Sequence, residues 1–157
     1  MTEKALAALL ALAAAGLVAT YLDSRHRTLP NWLCLMLGAL RLAAAFRFGG
    51  IEVLGAHLIH GAAALCVGII LFSQKVIGGG DGKYYAAAAC WFPIAQGFIL
   101  LFCVSIAGFL LYTFWYGTRR LRGLPIDPDP DAETAAKLPY GLAIAGGSIS
   151  AALFQLL

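Results

Sequence analysis

Five long apolar runs, separated by short polar segments, dominate the chain. They cover residues 5–22, 32–48, 53–72, 84–117 and 138–157. A run of about 20 residues is long enough for one membrane-spanning helix at about 1.5 Å of rise per residue. The run 84–117 is too long for one span and contains Pro93 and Gly97, residues that break or weaken helices. The pattern therefore predicts six transmembrane helices, at approximately 5–22, 32–48, 53–72, 83–96, 98–117 and 138–157.

Composition supports this interpretation. Hydrophobic residues make up 61% of the 157 positions and charged residues 12%, against about 25% charged in soluble domains. We therefore expect a single domain, 1–157, of an all-α integral membrane protein embedded in a lipid bilayer. The net charge of +3 is small, and no basic patch is interleaved with aromatic residues, so a nucleic-acid partner is not expected. The sequence carries no signal for an oligomeric state.

The distribution of basic residues predicts the orientation. Eight of the eleven Lys and Arg lie in the segments 23–31, 73–83 and 118–137. Six helices put these three segments on one side of the membrane, whereas five helices would move the basic residues of 118–137 across it. Basic residues concentrate in cytoplasmic segments. The prediction is that these segments are cytoplasmic and that both termini lie outside.

Two of the eight acidic residues stand alone beside apolar runs. Asp23 ends the first run, and Asp81 precedes the fourth helix. A charge next to membrane-spanning sequence is costly and is usually functional, and the predicted orientation puts both acids at the cytoplasmic face. Asp23 could simply end its helix, but an acid at a helix carboxyl end is unfavourable. We expect the two carboxyl groups to form an acid/base pair.

The residues around Asp81 are mostly glycine. Gly78, Gly80 and Gly82 surround it together with Gly79, and Lys83 follows. A plain turn needs only one or two glycines, whereas several permit close approach of another backbone. A phosphate-binding loop would need a GK[ST] sequence after a strand, and neither is present. The segment is interpreted as an active-site loop, with Lys83 either a membrane-surface anchor or a charge that lowers the pKa of the acid pair.

Residues that follow Asp23 can support it. Arg25 is a candidate surface anchor. Asn31 is predicted to cap the second helix, and Pro30 keeps the preceding residue extended. Together these residues would fix the segment that carries Asp23.

A metal site is not expected. His57 and His60 lie three positions apart on the third helix, where one face could offer two ligands. Only Glu52 is near them in sequence, and the four cysteines form no CxxC pair. Packing or hydrogen bonding between helices is the preferred interpretation of the histidines.

The ordered combination of these features resembles the type IV prepilin peptidases, membrane aspartic proteases of the GxGD class. The matching elements are Asp23, Pro30-Asn31, the Gly78-x-Gly80-Asp81-x-Lys83 segment and the stretch 137–146. The resemblance implies that Asp23 and Asp81 are the catalytic pair and that no cofactor or metal is required. It implies a prepilin substrate, with a basic leader, a glycine before the cut and an apolar helix, processed at the cytoplasmic side of the bacterial inner membrane.

The chain departs from the larger members of that family. It lacks the cytoplasmic loop with CxxC pairs, and only residues 23–30 separate its first two helices. It therefore resembles the minimal branch that processes Flp/Tad-type pilins, and methyltransferase activity is not expected. A proton-coupled carrier and a non-enzymatic pilus-assembly protein are the alternatives.

Overall fold

The computed structural model describes residues 3–26, 29–123 and 140–155. Within these residues every regular element is helical, which confirms the all-α class. The helices are α1 (Glu3–His26), α2 (Asn31–Ser73), α3 (Gly79–Ala89), a 3₁₀ turn (Ile94–Gln96), α4 (Gly97–Leu121) and α5 (Tyr140–Phe154). Most of the proline-rich segment 122–134 lies outside the described residues.

Helix α2 folds back on itself at Gly50. Gly50 has φ 73° and ψ −166°, a conformation that glycine adopts without the penalty of a Cβ atom. Nη2 of Arg41 donates a hydrogen bond to Nε2 of His57 at 3.0 Å, although 16 residues of straight helix would span about 24 Å. The two arms, 31–49 and 51–73, therefore run antiparallel, and they occupy the positions of the predicted helices 32–48 and 53–72.

Helix α3 differs from the predicted helix 83–96. It begins at Gly79 and ends at Ala89, so Asp81 lies in its first turn and not in a loop before it. The chain then turns through residues 90–93, and the Trp91 indole anchors this turn by donating to the Leu37 carbonyl at 3.2 Å. Pro93, which cannot donate a backbone hydrogen bond, precedes the 3₁₀ turn that leads into α4.

Small residues bring the helices close together. A Cβ atom at Gly82 would lie 3.4 Å from Cα of Gly68, so α3 crosses the second arm of α2 almost backbone to backbone. A Cβ atom at Gly16 of α1 would lie 3.2 Å from the Cβ of Ala145 of α5, so these two helices are also close. Such contacts are typical of helices that associate in lipid, where packing replaces the hydrophobic effect. They hold α3 against α2 and α1 against α5, and the ends of α1 and α3 carry the two acids described below.

Much of the exterior of the described residues is apolar. Helix α2 and the segment Ile94–Leu121 are each long and apolar enough to cross a membrane. Large hydrophobic side chains face outward, among them Phe98 at 87% and Leu121 at 89% exposure. Soluble monomers rarely expose continuous apolar surface of this kind. The molecule is a membrane protein, and six spans with both termini outside stays a prediction.

Candidate active site

Asp23 is held by the beginning of α5. It lies in the last turn of α1 and is only 8% exposed. Its Oδ2 accepts a hydrogen bond from the backbone N–H of Gly141 at 3.1 Å. The first N–H groups of a helix have no partner within that helix, and the helix dipole is positive there. The N-terminus of α5 thus compensates for the unfavourable position of an acid at the end of α1.

Gly141 makes this contact possible. A Cβ atom at that position would lie 2.8 Å from Oδ2 and 3.2 Å from Cγ of Asp23. Any other residue would push the carboxylate away or move the start of α5. The resemblance covered this stretch of sequence, but no local pattern indicated that Gly141 contacts a residue 118 positions earlier.

Asp81 has a different environment. It lies in the first turn of α3, where the helix dipole favours a carboxylate. Gly78 lies against it, since a Cβ atom there would be 2.7 Å from Oδ2 of Asp81. Burial, and then the negative charge of Asp23, raise the pKa of Asp81 to about 6. The electrostatic effect of Asp23 means that the two carboxyl groups interact.

A single cavity of about 270 Å³ joins the two acids. Its wall includes residues from the end of α1, the connection to α2 and the start of α3: Asp23, Leu29, Gly78, Gly79, Gly80, Asp81 and Lys83. Most of the predicted site residues thus come together. Gly82 instead faces the second arm of α2, where it packs on Gly68. Leu29 was not predicted, and nothing in its local sequence pattern marks it as a lining residue, whereas Gly79 belongs to the glycine segment that was interpreted as an active-site loop.

The predicted capping role of Asn31 is wrong. Pro30, with φ −68° and ψ 139°, occupies the N-cap position, and α2 has no side-chain cap. Pro30 does this because its fixed φ suits the residue that enters a helix. The Asn31 side chain instead accepts a hydrogen bond from Nζ of Lys83 at 3.1 Å, which ties α3 to the first arm of α2.

Lys83 does not dominate the electrostatics of Asp81. A nearby ammonium lowers the pKa of a carboxyl group, whereas the pKa of Asp81 is raised. Arg25 lies in the last turn of α1, but its side chain is outside the described part of the chain. Its supporting role stays a prediction.

The two histidines donate hydrogen bonds to backbone carbonyls, in agreement with the interpretation preferred for them. His57 donates from Nδ1 to the carbonyl of Cys90, and His60 donates from Nδ1 to the carbonyl of Phe92, both at 2.9 Å. Among the described residues, no three His, Cys, Asp or Glu side chains are grouped to hold a metal. Cys90 lies nine residues after Asp81, about 14 Å along a helix, so the histidines belong to the opposite end of α3.

The chain matches the model of one known protein family. The family model that describes the type IV leader peptidases matches residues 10–113, well over half of the chain, and the matched region includes Asp23, Asp81 and the glycines at the start of α3. Searches of the curated proteins and of the solved structures return no significant match.

Proposed function

Because the chain belongs to the type IV leader peptidase family, we propose that it is an aspartic endopeptidase that cleaves the leader from Flp/Tad-type prepilins. The observation that carries the proposal is the cavity shared by Asp23 and Asp81. Two interacting carboxyl groups, one with a raised pKa, are the arrangement by which one acid and one base work at the same pH.

The surroundings of each carboxyl group suggest its role. Asp23, whose carboxylate the N–H of Gly141 holds at the cavity wall, is assigned the role of the base. It takes a proton from water as the water oxygen bonds to the scissile carbonyl carbon. Asp81, whose pKa is raised to about 6, is the acid and donates to the developing oxyanion. Collapse of the tetrahedral intermediate breaks the C–N bond as one of its hydroxyl groups returns a proton to Asp81, and the proton held by Asp23 passes to the leaving nitrogen.

The glycines beside Asp81 suit a peptide substrate. Gly78, Gly79 and Gly80 line the cavity without side chains, so an extended backbone can come close to the carboxyl groups. A helical substrate must unwind there first, because the carbonyls of a helix are already hydrogen-bonded. The expected substrate has a basic leader, a glycine before the cut and an apolar helix after it.

The charge pattern supports a proposal for the side of the membrane on which cleavage occurs. Lys83 lies on the cavity wall, and the sequence segments 23–31 and 73–83, which supply the lining residues, contain two Lys or Arg residues each. Since basic segments stay in the cytoplasm, cleavage is proposed at the cytoplasmic face of the bacterial inner membrane by a multi-pass enzyme. Removal of the leader without methylation is proposed, because the cysteine-bearing loop of larger members has no counterpart in the sequence.

The test is cleavage of a prepilin by the purified protein in detergent. Asp23→Asn and Asp81→Asn should each lower the cleavage rate by at least about 10³-fold, since neither variant has both an acid and a base. Glu52→Gln is the matched control: it removes an exposed acid near the fold of α2 and should cleave like the wild type. Near-normal cleavage by either Asp variant would remove that residue from the catalytic pair, and a wild-type protein that cuts no prepilin would overturn the proposal.

The carrier alternative fits the structure less well. A proton relay would need carboxyl groups at membrane depth, whereas Asp23 lies in the last turn of α1 and Asp81 in the first turn of α3. Both acids therefore lie at helix ends.

A further inference from the structure

A long groove lies beside the proposed active site. It has a volume of about 650 Å³ and runs between the two arms of α2 and along α3. Gly38, Gly61 and Cys90 lie deep in it, whereas Ala39 and Ala62 stand exposed on opposite walls. Nearly all of its lining is apolar, and it does not include Asp23 or Asp81.

One end of the groove adjoins the catalytic cavity. Lys83 lines both spaces. Asn31, which accepts the hydrogen bond of Lys83, also lines the groove. From this polar end the groove follows the first arm of α2 to Leu42, about 16 Å or three helical turns. The two spaces are thus neighbours, and a substrate that passes Lys83 reaches both.

We propose that the groove binds the first turns of the apolar helix that follows the scissile bond of the substrate. This proposal rests on the proposed function. An apolar segment matches the lining, and the small exposed side chains of Ala39 and Ala62 allow a second helix backbone to approach closely, which is how helices associate in lipid. A lipid acyl chain could also fill an apolar groove. A peptide substrate differs because it must occupy the groove and the catalytic cavity at once, and the walls of both include Lys83.

The division of the substrate between two spaces explains how a helix in the membrane is cut at one point. The segment in the groove stays helical and apolar. The residues beyond Lys83 enter the cavity lined by Gly78, Gly79 and Gly80, where an extended backbone fits. Binding energy from the helix would thereby position the scissile bond, as remote contacts do in other enzymes.

The experiment compares two adjacent substitutions on two substrates. Ala62→Phe puts a large side chain on the groove wall. Ala63→Phe makes the same change at the next position, which is exposed and does not line the groove. One substrate is the full precursor, and the other is a peptide that ends a few residues after the cut. For Ala62→Phe we expect the ratio of kcat/KM for precursor over peptide to fall about tenfold, equivalent to about 1.4 kcal/mol of binding. Ala63→Phe should keep the wild-type ratio.

An independent readout needs no catalysis. A photo-reactive residue at position 39, in the otherwise inactive Asp81→Asn protein, should cross-link to the apolar segment of the precursor in phospholipid vesicles. Cross-links to phospholipid alone, or equal ratios for Ala62→Phe and Ala63→Phe, would overturn the groove proposal. If the wild type cuts neither substrate, the proposed function itself fails, and the groove proposal fails with it.

Discussion

Replacement of Gly141 by alanine tests whether the position of Asp23 determines activity. The new Cβ would lie 2.8 Å from Oδ2 and 3.2 Å from Cγ and Cβ of Asp23. Since the first of these distances is shorter than real Cβ contacts allow, the carboxylate must move and lose its 3.1 Å hydrogen bond from the Gly141 N–H. A hydrogen bond to a charged group contributes about 1.5–3 kcal/mol, which corresponds to a fall in kcat/KM of about 10- to 150-fold.

The assay is prepilin cleavage in detergent, with thermal unfolding of the same samples as a check on folding. Gly146→Ala is the matched control, because it makes the same change in α5 at a site with nothing within 4 Å of the new Cβ. Alanine has a higher helix propensity than glycine by about 1 kcal/mol, so the control should be at least as stable as the wild type and equally active. A Gly141→Ala protein that is folded and cleaves at the wild-type rate would refute the positioning of Asp23 by α5.

Two further predictions concern pH and orientation. Because Asp81 must be protonated to act, kcat/KM should fall as the pH rises above its pKa of about 6. A carboxyl group whose folded-state pKa is raised stabilises the fold below its ordinary pKa of 3.8 and loses that contribution as the pH rises through about 6. Asp81→Asn should flatten the dependence of Tm on pH in this interval, and an unchanged slope would contradict the raised pKa. In a cysteine-free background, Cys at position 73 should react only with cytoplasmic reagents and Cys at position 51 only with external ones; the reverse result would move cleavage to the other side of the membrane.

The sequence predicted those features that depend on a local pattern of apolar residues or on the free-energy cost of a charge beside a membrane-spanning segment. Apolar runs indicated an all-helical membrane protein, and the isolation of Asp23 and Asp81 among apolar segments marked them as a pair, both now found on one cavity wall. Glycine content misled the assignment of α3, since residues with low helix propensity form its first turn. In the structure Gly79 packs against the Phe72 ring and Gly82 against Gly68, so tertiary contacts outweigh the low helix propensity of glycine.

Other features depend on contacts between distant parts of the chain. The hydrogen bond from Gly141 to Asp23 joins residues 118 positions apart, and no periodic pattern in the sequence predicts it. Asn31 has good capping chemistry, but Pro30 occupies the cap position, and the Asn31 side chain pairs with Lys83. A sequence can indicate which side chains need a partner more readily than it can identify the partner.

The imidazoles of His57 and His60 have a consequence for how α3 can end. A helix that stops in apolar surroundings leaves carbonyl groups without partners, each of which costs several kcal/mol where water is absent. Here the carbonyls of Cys90 and Phe92 accept hydrogen bonds from the two imidazoles. The imidazoles thus take the place of the backbone N–H groups that another turn of helix would provide. The second arm of α2 thus supplies the hydrogen bonds that water would otherwise make. A helix of only 11 residues can therefore present Asp81 at one end and stop without exposing its other end to water.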